Sequence, residues 1–215
     1  MNSPTIIAVI PARSGSQRIT EKNLQKVAGY SLVERACDSV PKYVSHTIVT
    51  TDCATSGRIA KEYGFEVVWR SAILAGHNIS GMSVWQHALS ASTDDNHMTF
   101  DCSILLQPST PTRTQSDISH CIDAVIDDAW DSACTVSLVP DRFAPHKQVD
   151  VRAGKLQIVE RRHSASYTRD GACFAGNAAG VFGDFYANCA AIQSKGAQVN
   201  IDEPLDLEIA RMLLE

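Results

Sequence analysis

Apolar residues along the chain fall into two rhythms. Short continuous runs recur at Thr5–Ile10 (TIIAVI), His46–Thr51 (HTIVTT), Glu66–Arg70 (EVVWR), Cys102–Gln107 (CSILLQ), Ala133–Val139 (ACTVSLV) and Gln198–Ile201 (QVNI), which is the pattern of buried strands. Between most of them, apolar positions return every three or four residues: Leu32, Ala36 and Val40; Ile59, Ala60 and Tyr63; Val84, Ala88 and Ala91; Ile118, Ile122, Val125 and Ile126. That spacing puts one apolar stripe on each helix. Strand and helix in alternation predict a mostly parallel sheet covered on both faces.

Two segments depart from the alternation. From Pro140 to Tyr167 the chain reads PDRFAPHKQ, then a turn at Arg152–Lys155 (RAGK), then a short strand within KLQIVERR; Gly and Pro punctuate it as a hairpin-like excursion from one domain. The last segment, DEPLDLEIARMLLE, has Pro204 early and places Leu205, Ile209, Met212 and Leu213 on one face, the pattern of a terminal amphipathic helix.

Length and charge narrow the function classes. A chain of 215 residues can bury a full core without staples, so one domain is expected. The net charge of −5 gives no sign of a nucleic-acid partner. Seven cysteines, none in a C-x-x-C pair, suggest neither a disulfide framework nor a zinc site and read as mostly buried free thiols. No apolar run approaches a membrane span, and the first residues lack a leader pattern. A cytoplasmic location without membrane contact is the expectation.

The first strand empties into SGSQRITEKN (Ser14–Asn23). In parallel sheets ligands gather beyond the carboxyl ends of strands, and this loop occupies that place. Gly15 with Ser14 and Ser16 lets backbone N–H groups approach an anion, while Arg13, Arg18 and Lys22 supply positive charge. From the residues alone the segment is either a triphosphate cradle or a solvated surface loop. It matches neither G-x-x-x-x-G-K-[ST] nor G-x-G-x-x-G, so a dehydrogenase reading is poor.

Four stretches carry a resemblance. IPARSGSQRITEKNLQKVAGYSLVERA, LLQPSTPTRTQSDI (Leu105–Ile118), RDGACF (Arg169–Phe174) and NIDEPLDLE (Asn200–Glu208) occur in the order of the motifs of the CMP-sialic acid synthetase family, the cytidylyltransferases that activate nonulosonic and related acidic sugars. The sequence resembles that family from end to end, with the first two stretches the more specific. The resemblance implies a Rossmann-like α/β nucleotidyltransferase, CTP and an acidic 2-keto sugar as substrates, Mg²⁺, and a homodimer in which residues 140–167 form a dimerisation arm that also delivers residues such as Lys147 to the neighbouring site. LLQPSTP favours a sialic-acid-like nonulosonate over a 3-deoxy-octulosonate, whose enzymes usually carry G-D-x-P there. A nucleotide-binding relative without catalysis remains the third reading.

The resemblance also implies roles. Arg13, Ser16, Lys22 and Asn23 match nucleotide-contacting positions, with Arg13 and Lys22 the foremost catalytic candidates. Arg18 stands beside Gln17, where the family often has a basic residue. Arg70 matches an arginine near the base, and Ser80 or Ser83 a nucleotide-contacting serine, although His77 and Gly81 depart from the pattern nearby. Gln107, at a strand's end, bridges sugar and nucleotide in this reading, or caps loop backbone; Ser109 and Thr110 shape the site, and Arg113 is either structural or functional. Asp117 or Ser116 is the expected N-cap of the following helix. A carboxylate substrate wants a guanidinium, for which Arg162 and Arg169 are the candidates. Asp202, expected at the end of the QVNI strand, is the metal ligand, the N-cap of the terminal helix, or both. Asn200 stands where related enzymes carry a second aspartate, Asp52 is a further conceivable acid, and Asp206 is expected on the helix surface.

Overall fold

The computed structural model describes residues 3–76, 78–92, 99–158 and 166–215. In chain order the strands are β1 (Ile6–Pro11), β2 (Lys26–Val27), β3 (Tyr30–Ser31), β4 (His46–Thr51), β5 (Glu66–Trp69), β6 (Cys102–Leu105), β7 (Ser132–Leu138), β8 (Val149–Arg152), β9 (Lys155–Ile158), β10 (Tyr167–Gly176) and β11 (Cys189–Gln193). The helices are α1 (Leu32–Asp38), α2 (Ala54–Glu62), α3 (Gly81–Ala91), α4 (Gln115–Ile126), α5 (Ala178–Phe182) and α6 (Pro204–Leu214). Seven strands form the main sheet in the order β11-β7-β10-β6-β1-β4-β5. Every pairing in it is parallel except the two made by β10, which runs antiparallel between β6 and β7.

Strand β1 shows why the apolar runs are continuous. Its alternate residues serve two cores, as the two-residue period requires. Ile6, Ala8 and Ile10 pack with Val33 of α1, Ile59 of α2, and Ile118 and Ile122 of α4. Ile7 and Val9 face the other way, toward Trp85, Ala88 and Leu89 of α3 and Phe185. Burying such side chains stabilises by about 1.5–3 kcal/mol each, so β1 anchors both layers. A third, smaller cluster joins Ile19 of the opening loop, Val27, Leu32 and Ile201 to Leu207 and Ala210 of α6. It draws the two ends of the chain together at one side of the sheet.

Helix starts are fixed by side chains. Ser31 and Glu34 form a capping box at α1. At α4 the N-cap is Thr114, not Asp117 or Ser116: the Thr114 hydroxyl receives the Asp117 N–H, and the Asp117 carboxylate returns the bond. An acid three residues into a helix reaches back to the cap more readily than it serves as one. The same exchange occurs at α6, where Glu203 is the N-cap and Asp206 accepts from the backbone N–H groups of Asp202 and Glu203. Asp206 thus serves the helix start, and Asp202 lies one residue ahead of the cap.

One further expectation needs correction. Gln198–Ile201 joins no sheet; its backbone is held by Ser109, whose carbonyl accepts from Ile201 N at 2.7 Å, and by Thr112. The sheet's outer strand is β11, read from CAAIQ, whose two small alanines gave a weak apolar signal. The Arg152–Lys155 turn is present: Ala153 and Gly154 have φ of 49° and 76°, and Arg152 pairs with Lys155 across it, as a two-residue hairpin with both central residues left-handed requires. Within the same excursion Lys147 pairs with Asp141.

Gly180 in α5 marks a point of close contact. A Cβ built there meets the Asp131 carbonyl oxygen at 2.1 Å and Ser132 Cβ at 3.1 Å. Gly180→Ala is expected to lower stability by about 1–3 kcal/mol, the usual cost of overpacking. A urea midpoint unchanged from the parent protein would show that the backbone yields freely at this place.

Candidate active site

The chain passes from β1 to β4 and β5 on one side, then returns to place β6 on the other side of β1. The carboxyl ends of β1 and β6 therefore flank the switch point, where open parallel sheets leave a crevice. A cleft of about 210 Å³ lies there, and Arg13, Ser16, Lys22, Asn23, Arg70, Gln107 and Ser109 all line it. Three stretches of the chain, 11–23, 70–84 and 107–109, thus line one volume.

The opening loop is fastened at several points. Asn23, buried, donates from Nδ2 to the Arg13 carbonyl at 2.9 Å. Asp52 accepts from Ser14 N at 2.6 Å and from Ser14 Oγ at 2.5 Å, so the acid after β4 ties the loop instead of facing the cleft's centre. Partial burial pushes the Asp52 carboxyl up, but the Ser14 hydrogen bonds, its own backbone N–H and nearby Arg70 outweigh this and hold it below the ordinary carboxylate value. A depressed pKa contributes stability above the unfolded value of about 3.9, lost as pH falls through the folded value. In a carboxyl-carbon NMR titration Asp52 is expected below the usual midpoint, and Ser14→Ala should return it upward. An unmoved midpoint would detach the carboxylate from Ser14.

Arg70 follows β5 and is buried, donating from Nη2 to the Thr50 carbonyl at 3.1 Å while its Nε has no partner. Burial lowers its pKa, opposed by Asp52 and reinforced by Arg13. A guanidinium short of acceptors on the wall of a cleft is disposed to receive a polar ligand group. Leu74, Gly76 and Ile79 add an apolar rim that the sequence pattern did not mark, because SAILAGHNIS has neither helical nor strand periodicity.

A smaller cleft of about 90 Å³ adjoins on the loop side, lined by Arg13, Ser16, Gln17, Arg18, Ile19, Lys22 and Asp202. Lys22 donates from Nζ to the Ile201 carbonyl at 2.6 Å and lies 3.3 Å from Asp202 Oδ1. Arg18 lies 3.5 Å from Asp202 and 2.7 Å from Glu203. Asn200 Nδ2 donates to Asp202 Oδ2 at 3.4 Å. Among the described residues there is no group of three or more His, Cys, Asp or Glu able to enclose a metal. Asp202, about half exposed, fits as a single carboxylate toward a Mg²⁺ ion held otherwise by phosphate oxygens and water, the usual arrangement for that ion.

On the other side of Gln107 lies a larger cleft of about 420 Å³. Ser80, Gly81, Met82, Trp85, Gln107, Arg169, Phe174 and Tyr186 are on its wall. Ser80 therefore faces this second volume and not the cleft walled by Arg13 and Arg70; it is the N-cap of α3, receiving the Ser83 N–H and sharing a hydrogen bond with Ser83 Oγ. Arg169 stacks over the Tyr186 ring at 5.1 Å and donates to its hydroxyl. Arg162 and His77 lie outside the described residues. Gln107 and Gly81 line both clefts, so the two volumes meet there.

The sequence reading missed Asp170. It is buried between Arg169 and Gly171, and it accepts from Thr135 Oγ1 at 2.5 Å, Ser194 Oγ at 2.7 Å, Ser137 Oγ at 2.8 Å and Ala172 N at 3.0 Å. The pairing of β10 with β7 shifts register between Arg169 and Phe174, and Asp170 clamps this bulge. Next to it Gly171 has φ of +78°, and a Cβ there would come within 3.0 Å of Gln107 Oε1 and Thr110 Oγ1. Only glycine permits that backbone beside Gln107. A glycine inside a strand, here Gly171, is the signal that points to such a bulge.

Residues 7–83 match the family model described as Cytidylyltransferase. The chain is a relative of the cytidylyltransferases. It is 30% identical over 228 residues to an N-acylneuraminate cytidylyltransferase of Escherichia coli O18:K1:H7, a match covering 95% of this chain and 51% of that protein. It is 31% identical over 158 residues to post-translational flagellin modification protein B of Campylobacter coli, covering 70% of this chain and 65% of that one. The chain thus spans about half the length of the first of these relatives and 65% of the second. Among solved structures, a CMP:2-keto-3-deoxy-manno-octonic acid synthetase complexed with CTP superposes with a TM-score of 0.73 at 17% identity, covering 97% of this chain and 98% of that one. At that identity the likeness concerns the fold. No helix among the described residues is long and apolar enough to cross a membrane.

Proposed function

We propose that the chain transfers CMP from CTP to the anomeric hydroxyl of an acidic 2-keto sugar of the sialic-acid-like nonulosonate class, releasing pyrophosphate. The observation that carries this reading is the meeting of two unlike clefts at Gln107: one walled by Arg13, Lys22 and Arg70, the other by aromatic side chains and Arg169. A polyanion suits the first, and a sugar carrying a carboxylate suits the second.

In this reading the sugar hydroxyl oxygen forms a bond to the α-phosphorus as the bond to the bridging oxygen of pyrophosphate breaks; the hydroxyl proton leaves to solvent. Negative charge builds on phosphate oxygens, so fixed cations and alignment do most of the work. Arg13 and Lys22 hold the phosphates, Ser16 and the loop's N–H groups add donors, and Arg70 with Asn23 orients the nucleoside side. The Gln107 amide reaches into both volumes and lines up attacker and target. Arg169, stiffened by Tyr186, takes the sugar carboxylate. Mg²⁺ bound at Asp202 would neutralise phosphate charge and draw the leaving group away.

Pyrophosphate release tests the reading: each of CTP, UTP, ATP and GTP is supplied with Mg²⁺ and a panel of eight- and nine-carbon 2-keto acid sugars. A signal with CTP and a nine-carbon sugar is the expected result. Preference for an eight-carbon sugar moves the assignment to octulosonate activation, and silence alongside tight CTP binding moves it to a nucleotide binder. Asn200→Asp adds a carboxylate beside Asp202, so it is expected to tighten Mg²⁺ binding in a calorimetric titration with CTP present. An unchanged titration would show that position 200 does not address the metal.

A further inference from the structure

Behind the turn that follows β6 lies a cleft of about 330 Å³ on the opposite side of Pro108 from the nucleotide-side cleft; Pro108 lines both. Its wall includes Arg35 from α1, Arg113 from the turn into α4, and Ser39 and Thr110. Nothing in the proposed reaction uses it.

Both arginines are short of acceptors. Arg113 donates from Nη2 to the Gln107 carbonyl and from Nη1 to Ser39 Oγ at 3.3 Å, while its Nε is buried without a partner. Arg35 makes one long bond, from Nη1 to the Val27 carbonyl at 3.4 Å, and its Nε is likewise buried and unpartnered. Neither forms an ion pair with a carboxylate among the described residues. Folded proteins leave few buried polar groups unmatched, and here two guanidiniums with that deficit share one wall. The single acid on the wall, Asp38, accepts the Tyr63 hydroxyl at 2.8 Å. The cleft therefore carries a net positive charge. Burial pushes the Arg113 pKa down to about 10, against the pull of Cys173, Asp117 and Asp170, consistent with a cation whose compensation is incomplete.

We propose that this cleft is a second oxyanion site, taking phosphate or the phosphate group of a small molecule, and that its occupancy bears on the active site through Arg113. The planar guanidinium fork matches a tetrahedral oxyanion through paired N–H donors. A phosphate drawing the two guanidiniums toward it supplies the acceptors that the protein withholds. Because Arg113 also holds the Gln107 carbonyl, any movement of its guanidinium is felt at the residue where the two reaction clefts meet. The link is a short physical one, a side chain that grips the backbone of the aligning glutamine.

The test separates this site from the phosphate cradle and from the proposed reaction. Sodium phosphate is titrated at constant ionic strength into the full-length Arg13→Ala/Lys22→Ala protein, which lacks the cradle's cations, and backbone amide resonances are followed. Saturable shifts of Ser39, Thr110 and Gln107 with one common midpoint are expected. Adding Arg35→Gln should weaken that midpoint about tenfold, or 1.4 kcal/mol, and Arg35→Lys, which keeps the charge but loses the fork, should fall between. Methyl phosphate run in parallel identifies the source: binding at least as tight as phosphate points to a phosphate-bearing molecule, and exclusion of the ester points to the free ion. No saturable shift, or equal midpoints with and without Arg35→Gln in proteins whose spectra remain dispersed, overturns the site. A Gln107 resonance that stays still while Ser39 moves overturns the link to catalysis.

Discussion

Arg13→Ala is expected to lower kcat/KM for pyrophosphate release by about 100- to 1,000-fold, roughly 3–4 kcal/mol of transition-state stabilisation, with the fold intact. Arg13 stands where β1 leaves the sheet and lines both the nucleotide-side cleft and the smaller cleft beside Asp202. With Lys22, which lines the same two clefts, it is placed to address a triphosphate along its length. The loop is pinned through the backbone carbonyl of Arg13, which accepts from Asn23 and which alanine retains. Kinetics at saturating and limiting CTP, with a melting curve for each protein, measure this. Loss of rate with an unchanged melting temperature is the expected pair. Full activity would remove Arg13 from the phosphate cradle, and loss of both would show that it is needed for folding instead.

Trp85→Ala carries the largest expected cost in stability, about 3–5 kcal/mol. Trp85 is fully buried in the layer between α3 and the sheet, with its ring centroid 6.0 Å from that of Phe185. Its Nε1 donates to Ser103 Oγ at 2.9 Å, and Ser103 is itself fully buried in β6. Truncation leaves a void and also strands a hydroxyl, which contributes about 1–3 kcal/mol of that cost. Against a total stability of about 5–15 kcal/mol, that is enough to populate unfolded chains. Trp85→Phe should recover most of the packing but not the hydrogen bond. Guanidinium midpoints for the three proteins decide the matter, and a loss below about 1 kcal/mol for the alanine variant would mean that the site collapses onto the space.

Much of the sheet was legible because strands buried on both faces must be apolar throughout. The runs at His46–Thr51 and Cys102–Gln107 coincide with β4 and with β6 and its exit. The edge strand β11 was not, since Ala190 and Ala191 carry little hydrophobic signal, and Gln198–Ile201 misled because Val199 and Ile201 anchor a loop to α6, not to a sheet. The cationic loop was legible as an anion cradle from its residue types. The Asp170 clamp was not, because its donors Thr135, Ser137 and Ser194 come from two other segments and their convergence depends on β10 lying beside β7. Gln107 was visible as a strand-end amide, but its place at the boundary of two clefts arises from Gly81 and Gly171 on either side of it, which only the tertiary arrangement supplies.

The lone reversed strand has a consequence for how the chain is assembled during synthesis. β5, β4, β1 and β6 can pair once about half of the chain has emerged, whereas β7 has no partner in that group; β10 alone joins the two halves. Until its residues leave the ribosome, β6 and β7 each present an open edge toward the gap that β10 will fill. Unfilled edges of this kind recruit strands from other molecules. The nascent protein is therefore most prone to aggregation in the interval between completion of β7 and arrival of β10, and the same late insertion that closes the sheet sets Arg169 and Gly171 beside Gln107. Closure of the gap in the sheet and placement of the residues beside Gln107 are one event, which β11, Tyr186 and Asp202 follow.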